Sequence, residues 1–236
     1  MLPTCYSWYI AAVAHLHHTL TIPIENYTHP RSIPQEKVWP RPLVHLHKLG
    51  LLPFVKKLHI CHETHYAAMS RYFPNKFHRH TLHQLSALTG LQELGIDSLN
   101  ISKFIPRLKR HFGHFLPTLR SLALRQPNGS RRQIIYFVGI FQHLEDLKLI
   151  FSPGHPPKFQ EEPADEPTLA PHFTPPLRGR LTMRFSEEVE LLNDMISLFD
   201  GLRFHYMDLI HVDGMWRLLD ACAGTLETLW LYQRGG

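Results

Sequence analysis

The chain has 236 residues, of which 44% are hydrophobic and 19% charged, with a formal net charge of +5. That balance suits a domain with a buried core and excludes a high-charge disordered chain, while 13 glycines and 19 prolines without a period exclude a collagenous fibre. The longest uncharged apolar run, Trp8 to Ala14, is far short of the roughly 20 residues that a membrane-spanning helix needs.

Residues 4–20 read as a short helix running into a strand, because Trp8, Ala12 and Leu16 recur every four residues and stack on one helical face. Trp8 to Ala14 lacks the basic start of a secretory signal, and His15, His17 and His18 follow at once. The three cysteines, Cys5, Cys61 and Cys222, are widely spaced and odd in number, which is the usage of a reducing compartment. The expected location is therefore cytoplasmic or nuclear. Residues 23–42 read as a connector, since Pro23, Pro30, Pro34, Pro40 and Pro42 oppose regular helix and sheet bonding.

From residue 43 onward, strand-like and helix-like segments alternate. A six-residue pattern, apolar-x-x-apolar-x-apolar, appears as Val55-Leu58-Ile60, Leu91-Leu94-Ile96, Leu119-Leu122-Leu124, Leu144-Leu147-Leu149, Phe204-Met207-Leu209 and Leu226-Leu229-Leu231. A degenerate copy ends in Leu181 and Met183. Amphipathic helices fit between the copies: Thr81 to Leu88, Ser102 to Phe112, and the stripes Ile134-Val138-Phe141, Leu191-Met195-Leu198 and Met215-Leu219-Cys222. Residues 152–176 interrupt the rhythm as a proline-rich insertion carrying Glu161, Glu162, Asp165 and Glu166, expected to be a disordered surface loop.

A strand–helix unit cannot bury its own apolar side, but stacked units can. The rhythm predicts an α/β fold, an irregular leucine-rich-repeat solenoid over 43–236, with a parallel concave sheet and convex helices. The alternative from the same pattern is an ordinary α/β sandwich with strands in another order. In the solenoid the apolar positions of each copy face the helices, and the residues between them face out. Aromatic and Arg side chains on that outward face are the natural anchors for a protein partner. The expected binding residues are Tyr206, Asp208, Trp230, Tyr232, Arg125, Arg184, Arg180, Lys148 and Asp146. Arg125, Arg184, Tyr232 and Asp97 are expected just beyond the strands.

Two stretches carry a family resemblance. Cys5, Trp8, Ala12 and Leu16 resemble the last helix of an F-box, and Thr19-Leu20-Thr21-Ile22 the strand that follows it. The run from Leu218 to Leu229 resembles the repeats of fungal F-box/leucine-rich-repeat proteins. The resemblance implies a substrate receptor of an SCF-type ubiquitin ligase, with a Skp-type adaptor on the F-box and a protein substrate on the repeats. Residues 1–22 would be a remnant of that F-box, because its Leu-Pro opening and first helices are absent. Most of the adaptor-binding surface would then be absent, and the expectation is either a truncated fragment or a repeat protein that has lost its ligase connection; a C-terminus that stops just after a strand points to a cut chain.

Other chemistries fare worse. The 19 histidines suggest a metal enzyme, but in Cys61-His62-Glu63-Thr64-His65 the histidines are three apart, whereas a zinc-protease helix needs them four apart. His78, His80 and His83 form a second cluster without ligand spacing. No nucleophile elbow and no phosphate-binding glycine loop occurs. The basic residues are scattered rather than gathered into a nucleic-acid footprint. The expectation is a non-enzymatic scaffold with no metal and no cofactor; a histidine-based metal enzyme and a basic nucleic-acid-binding module are the alternatives.

Overall fold

The computed structural model describes residues 18–24, 41–62, 85–98, 101, 105, 113–151, 177–184, 189–210 and 214–232. These form strands β1 (Thr19–Ile24), β2 (Lys57–His62), β3 (Glu93–Asp97), β4 (Ser121–Arg125), β5 (Asp146–Ile150), β6 (Leu177–Arg184), β7 (Leu202–Ile210) and β8 (Thr228–Tyr232). Helices α1 (Arg41–Lys48), α2 (Arg131–Gly139), α3 (Val189–Leu198) and α4 (Trp216–Cys222) lie between them, with a 3-10 turn at Leu52–Phe54.

The eight strands make one parallel sheet in sequence order, β1 to β8. Each strand pairs only with its neighbours in sequence, as in an α/β solenoid, and the sandwich with reordered strands is ruled out. The register explains why. Leu20, Leu58, Leu94, Leu122, Leu147, Leu181, Met207 and Leu229 stand opposite one another in a single row across the whole sheet. A second row, two residues on, runs through Ile60, Ile96, Leu124, Leu149, Met183, Leu209 and Leu231. Side chains alternate across a strand, so both rows project to one side. From Leu20 to Met207 and from Ile60 to Leu209 they are buried in one continuous core. A slip of one residue in any strand would turn its row out to solvent, and each buried Leu or Ile contributes roughly 1.5–3 kcal/mol.

The helices close this core from one side. Ser130 caps α2 with a reciprocal box: its hydroxyl accepts from the Gln133 N–H at 3.2 Å, and the Gln133 side chain accepts from the Ser130 N–H at 3.0 Å. Ile134 and Val138 face inward as the stripe predicts, and Ile135 and Phe137 are buried beside them. Phe137 meets Phe141 edge-on at 5.3 Å. Arg131 ties α2 to α3 through Glu190 and Asp194. In α4, Leu218 is fully buried and Leu219 only partly, so the inward stripe is Met215-Leu218-Cys222.

Four expectations are corrected. Among the described residues the sheet begins at Thr19: the strand expected at 19–22 joins the sheet expected only from residue 43, and it takes in Pro23; an edge strand has a neighbour on one side only and tolerates the missing N–H. Helix α1 starts at Arg41 with Pro42 in its first turn, where a proline removes no helical bond. Asp97, Arg125, Arg184 and Tyr232 are the last residues of their strands, not residues beyond them. Leu229 and Leu231 are 37% and 46% exposed, because β8 is the other edge strand and all five of its residues are open. The expected helix from Thr81 falls on described residues only from Leu85, and that from Ser102 only at Ile105. The insertion at 152–176 lies outside the described residues.

Candidate binding face

The face opposite the helices carries the residues between the buried rows. Among the described residues no helix covers it, although parallel sheets are usually covered on both sides. The first outward row is Lys57, Glu93, Ser121, Asp146, Arg180, Tyr206 and Thr228; the next is His59, Gly95, Ala123, Lys148, Thr182, Asp208 and Trp230.

Over β2 to β5 the charges are paired. Lys57 meets Glu93 at 2.8 Å, and Asp146 binds Lys148 at 2.9 Å while accepting from the Ser121 hydroxyl at 3.1 Å. Gly95 and Ala123 leave a hollow of about 190 Å³, lined also by Lys57, His59, Arg125 and Lys148. The His59 ring leans over Gly95; a Cβ there would come within 2.8 Å of it. Burial holds His59 below the ordinary histidine pKa, the Arg125 charge adds to this, and Asp97 opposes it. Arg125 stands in register with Asp97, but no ion pair joins them.

Over β6 to β8 the surface changes. Gly179 adopts φ +90°, and a Cβ on it would sit 2.1 Å from the Glu145 carbonyl oxygen. The register shifts here: Gly179 pairs with Phe204 and Arg180 with Tyr206, leaving His205 as the extra residue of a bulge. That shift puts Tyr206 beside Arg180, whose guanidinium lies 4.3 Å from the ring centroid. Further along, Arg184 donates to Asp208 at 2.9 Å and lies 5.3 Å from the Tyr232 ring. The hydrogen bond to Asp208, with its charge, raises the Arg184 pKa above its ordinary value. Asp208 has 13% of its side chain exposed, and its second oxygen, Oδ1, is buried without a partner, as is Oδ1 of Asp146. Trp230 is 55% exposed and Tyr232 46%.

Of the expected binding residues, Arg180, Arg184, Tyr206, Asp208, Trp230 and Tyr232 are brought together on three adjacent strands. Asp146 and Lys148 pair with each other on β5, and Arg125 stands apart on β4. Arg178 and Arg203, adjacent in register and both exposed, are not among the expected binding residues. The spacing of Arg178, Arg180 and Arg184 by even numbers was the available signal, since it puts them on one face of a strand. Cys5, Trp8, Ala12 and Leu16 lie outside the described residues, as do His65, His78, His80 and His83. Among the described residues no group of three His, Cys, Asp or Glu could hold a metal ion. No described helix is long and apolar enough to cross a membrane. No protein-family model, no curated protein and no solved structure matches this chain.

Proposed function

We propose that this chain is a non-enzymatic protein-interaction scaffold of the leucine-rich-repeat type, which holds a partner protein on the open face of β6 to β8. The carrying observation is the exposed, ordered cluster there: Arg180 stacked on Tyr206, Arg184 held between Asp208 and Tyr232, and Trp230 standing free. Aromatic and guanidinium groups that are fixed before binding lose little entropy on association, and they dominate interface energetics. The in-register rows support the repeat reading, because each copy of the pattern supplies one strand at the same height.

The resemblance of the first residues to an F-box helix extends the proposal to a role as substrate-recognition part of an SCF-type ubiquitin ligase, in cytoplasm or nucleus. A Skp-type adaptor would then be the second partner. A double substitution tests the scaffold. Tyr206→Ala with Trp230→Ala is expected to weaken capture of partner proteins at least tenfold, with an unchanged unfolding midpoint. Unchanged capture rejects this face as the binding surface, and loss of folding shows that the two side chains belong to the core.

A further inference from the structure

The site proposed above contains charge that the protein leaves uncompensated. Arg178 and Arg203 stand directly opposite each other on β6 and β7, on the open face, and both are exposed. Arg180 follows on the same face of β6, and Asp146, which stands opposite it on β5, is already bound to Lys148. Among the described residues none of the three has an ion-pair partner. Like charges directly opposite in a sheet are destabilising, so folding alone gives no reason for this placement. On β2 and β3 the same kind of position is filled by opposite charges, Lys57 and Glu93.

We propose that this arginine group binds an acidic segment of the partner protein, with at least two carboxylates on alternate residues of an extended peptide. The inference rests on the scaffold reading and specifies its ligand. The geometry fits such a segment. Arg178 and Arg180 are two strand residues apart, about 6.6 Å, and Arg203 lies across roughly 4.8 Å. Alternate side chains of an extended peptide repeat at the same interval of about 6.6 Å. The Arg180 guanidinium lies 4.3 Å over the Tyr206 ring and is exposed, and a guanidinium can take a carboxylate through two parallel hydrogen bonds. A nucleic acid backbone, a longer line of negative charge than these three arginines, fits less well, because Asp146 and Asp208 bound the group on β5 and β7, whereas a peptide with two carboxylates can keep both within it.

The test is a selection of random peptides displayed against the whole chain, followed by affinity measurement on the wild type, Arg203→Glu and Trp230→Ala proteins. Arg203→Glu would set a carboxylate opposite Arg178, so its unfolding midpoint is expected to rise or hold while binding falls. The proposal predicts selected peptides enriched in Asp and Glu at alternate positions. It predicts at least a tenfold loss of their affinity on Arg203→Glu, and a clear weakening between 50 and 200 mM salt. Peptides that depend on Trp230 but show no acidic enrichment, or no sensitivity to Arg203→Glu, overturn the acidic-ligand inference and leave the scaffold reading standing. No selected peptide at all overturns both. A labelled single-stranded RNA that binds through Arg203, with no acidic peptide selected, overturns the inference in favour of nucleic acid.

Discussion

The two halves of the open face follow one backbone plan and use it oppositely. Over β2 to β5, Lys57 answers Glu93 and Lys148 answers Asp146, and the small residues Gly95 and Ala123 leave a hollow. Over β6 to β8, arginines stack on aromatic rings or stand opposite one another, and Trp230 projects beyond them. Exposed ion pairs add little stability and hold a surface neutral. Here Arg184 keeps an ion pair with Asp208, but Arg180 lies on its ring without one among the described residues, and such a group adds nothing to neutrality and is of the kind enriched at interfaces. Strand register therefore sets the height of each side chain, and the residue placed there decides whether that part of the face is neutral or carries open charge.

The two glycines on either side of this boundary give the largest contrast. Gly179→Ala forces a Cβ to 2.1 Å from the Glu145 carbonyl, at a φ of +90° that side chains rarely adopt. The backbone cannot move without undoing the bulge, and a loss of roughly 3 kcal/mol is expected. Gly95→Ala meets only the edge of the His59 ring, which can swing aside, and about 1 kcal/mol or less is expected. Urea midpoints of the two variants decide this. Equal losses would mean that Gly179 is not holding the bulge.

The acidic residues give a smaller contrast. Asp208→Ala strips Arg184 of its ion pair in a site where the carboxylate is largely buried, and about 1 kcal/mol of stability is expected to go with it. Glu93→Ala breaks a pair that is 41% and 43% exposed, and less than about 0.5 kcal/mol is expected. The same urea titrations measure both.

The legible part of this fold was the part set by alternation. The central apolar residue of each pattern copy, from Leu58 to Leu229, falls in one row of the sheet, because a period of two residues fixes which side a side chain takes. Tyr206, Asp208 and Trp230 followed for the same reason. Alternation is silent about what covers a side, so Leu229 and Leu231 read as core although the edge strand leaves them open. It is equally silent about register between strands. Arg178 and Arg203 are 25 positions apart and become neighbours only through the strand pairing that precedes the bulge. The bulge coincides with the close approach of Gly179 to the Glu145 carbonyl, which no composition reveals. Left-handed residues follow β3 and β4, where Ser98 and Gln126 take φ values of +55° and +46° at matching positions.

A pH titration gives the smallest effect and separates the halves chemically. His59, on the paired half, is held below the ordinary histidine value of 6.5, by burial first and by Arg125 second. Below that value the unfolded chain binds a proton that the folded chain resists. The contribution of His59 is thus fully present above about pH 6.5 and drains away as pH falls through its folded pKa. His59→Gln is expected to flatten the acid limb of a stability–pH curve without changing the plateau slope above pH 7. It does not abolish that limb, since burial also lowers His114. Arg125→Ala should move the His59 imidazole titration upward in an NMR experiment, and Asp97→Asn should move it downward. Opposite shifts would establish that the hollow's electrostatics come from its own charged neighbours. If neither variant moves the titration, burial alone sets it, and the charges around the hollow matter only to each other.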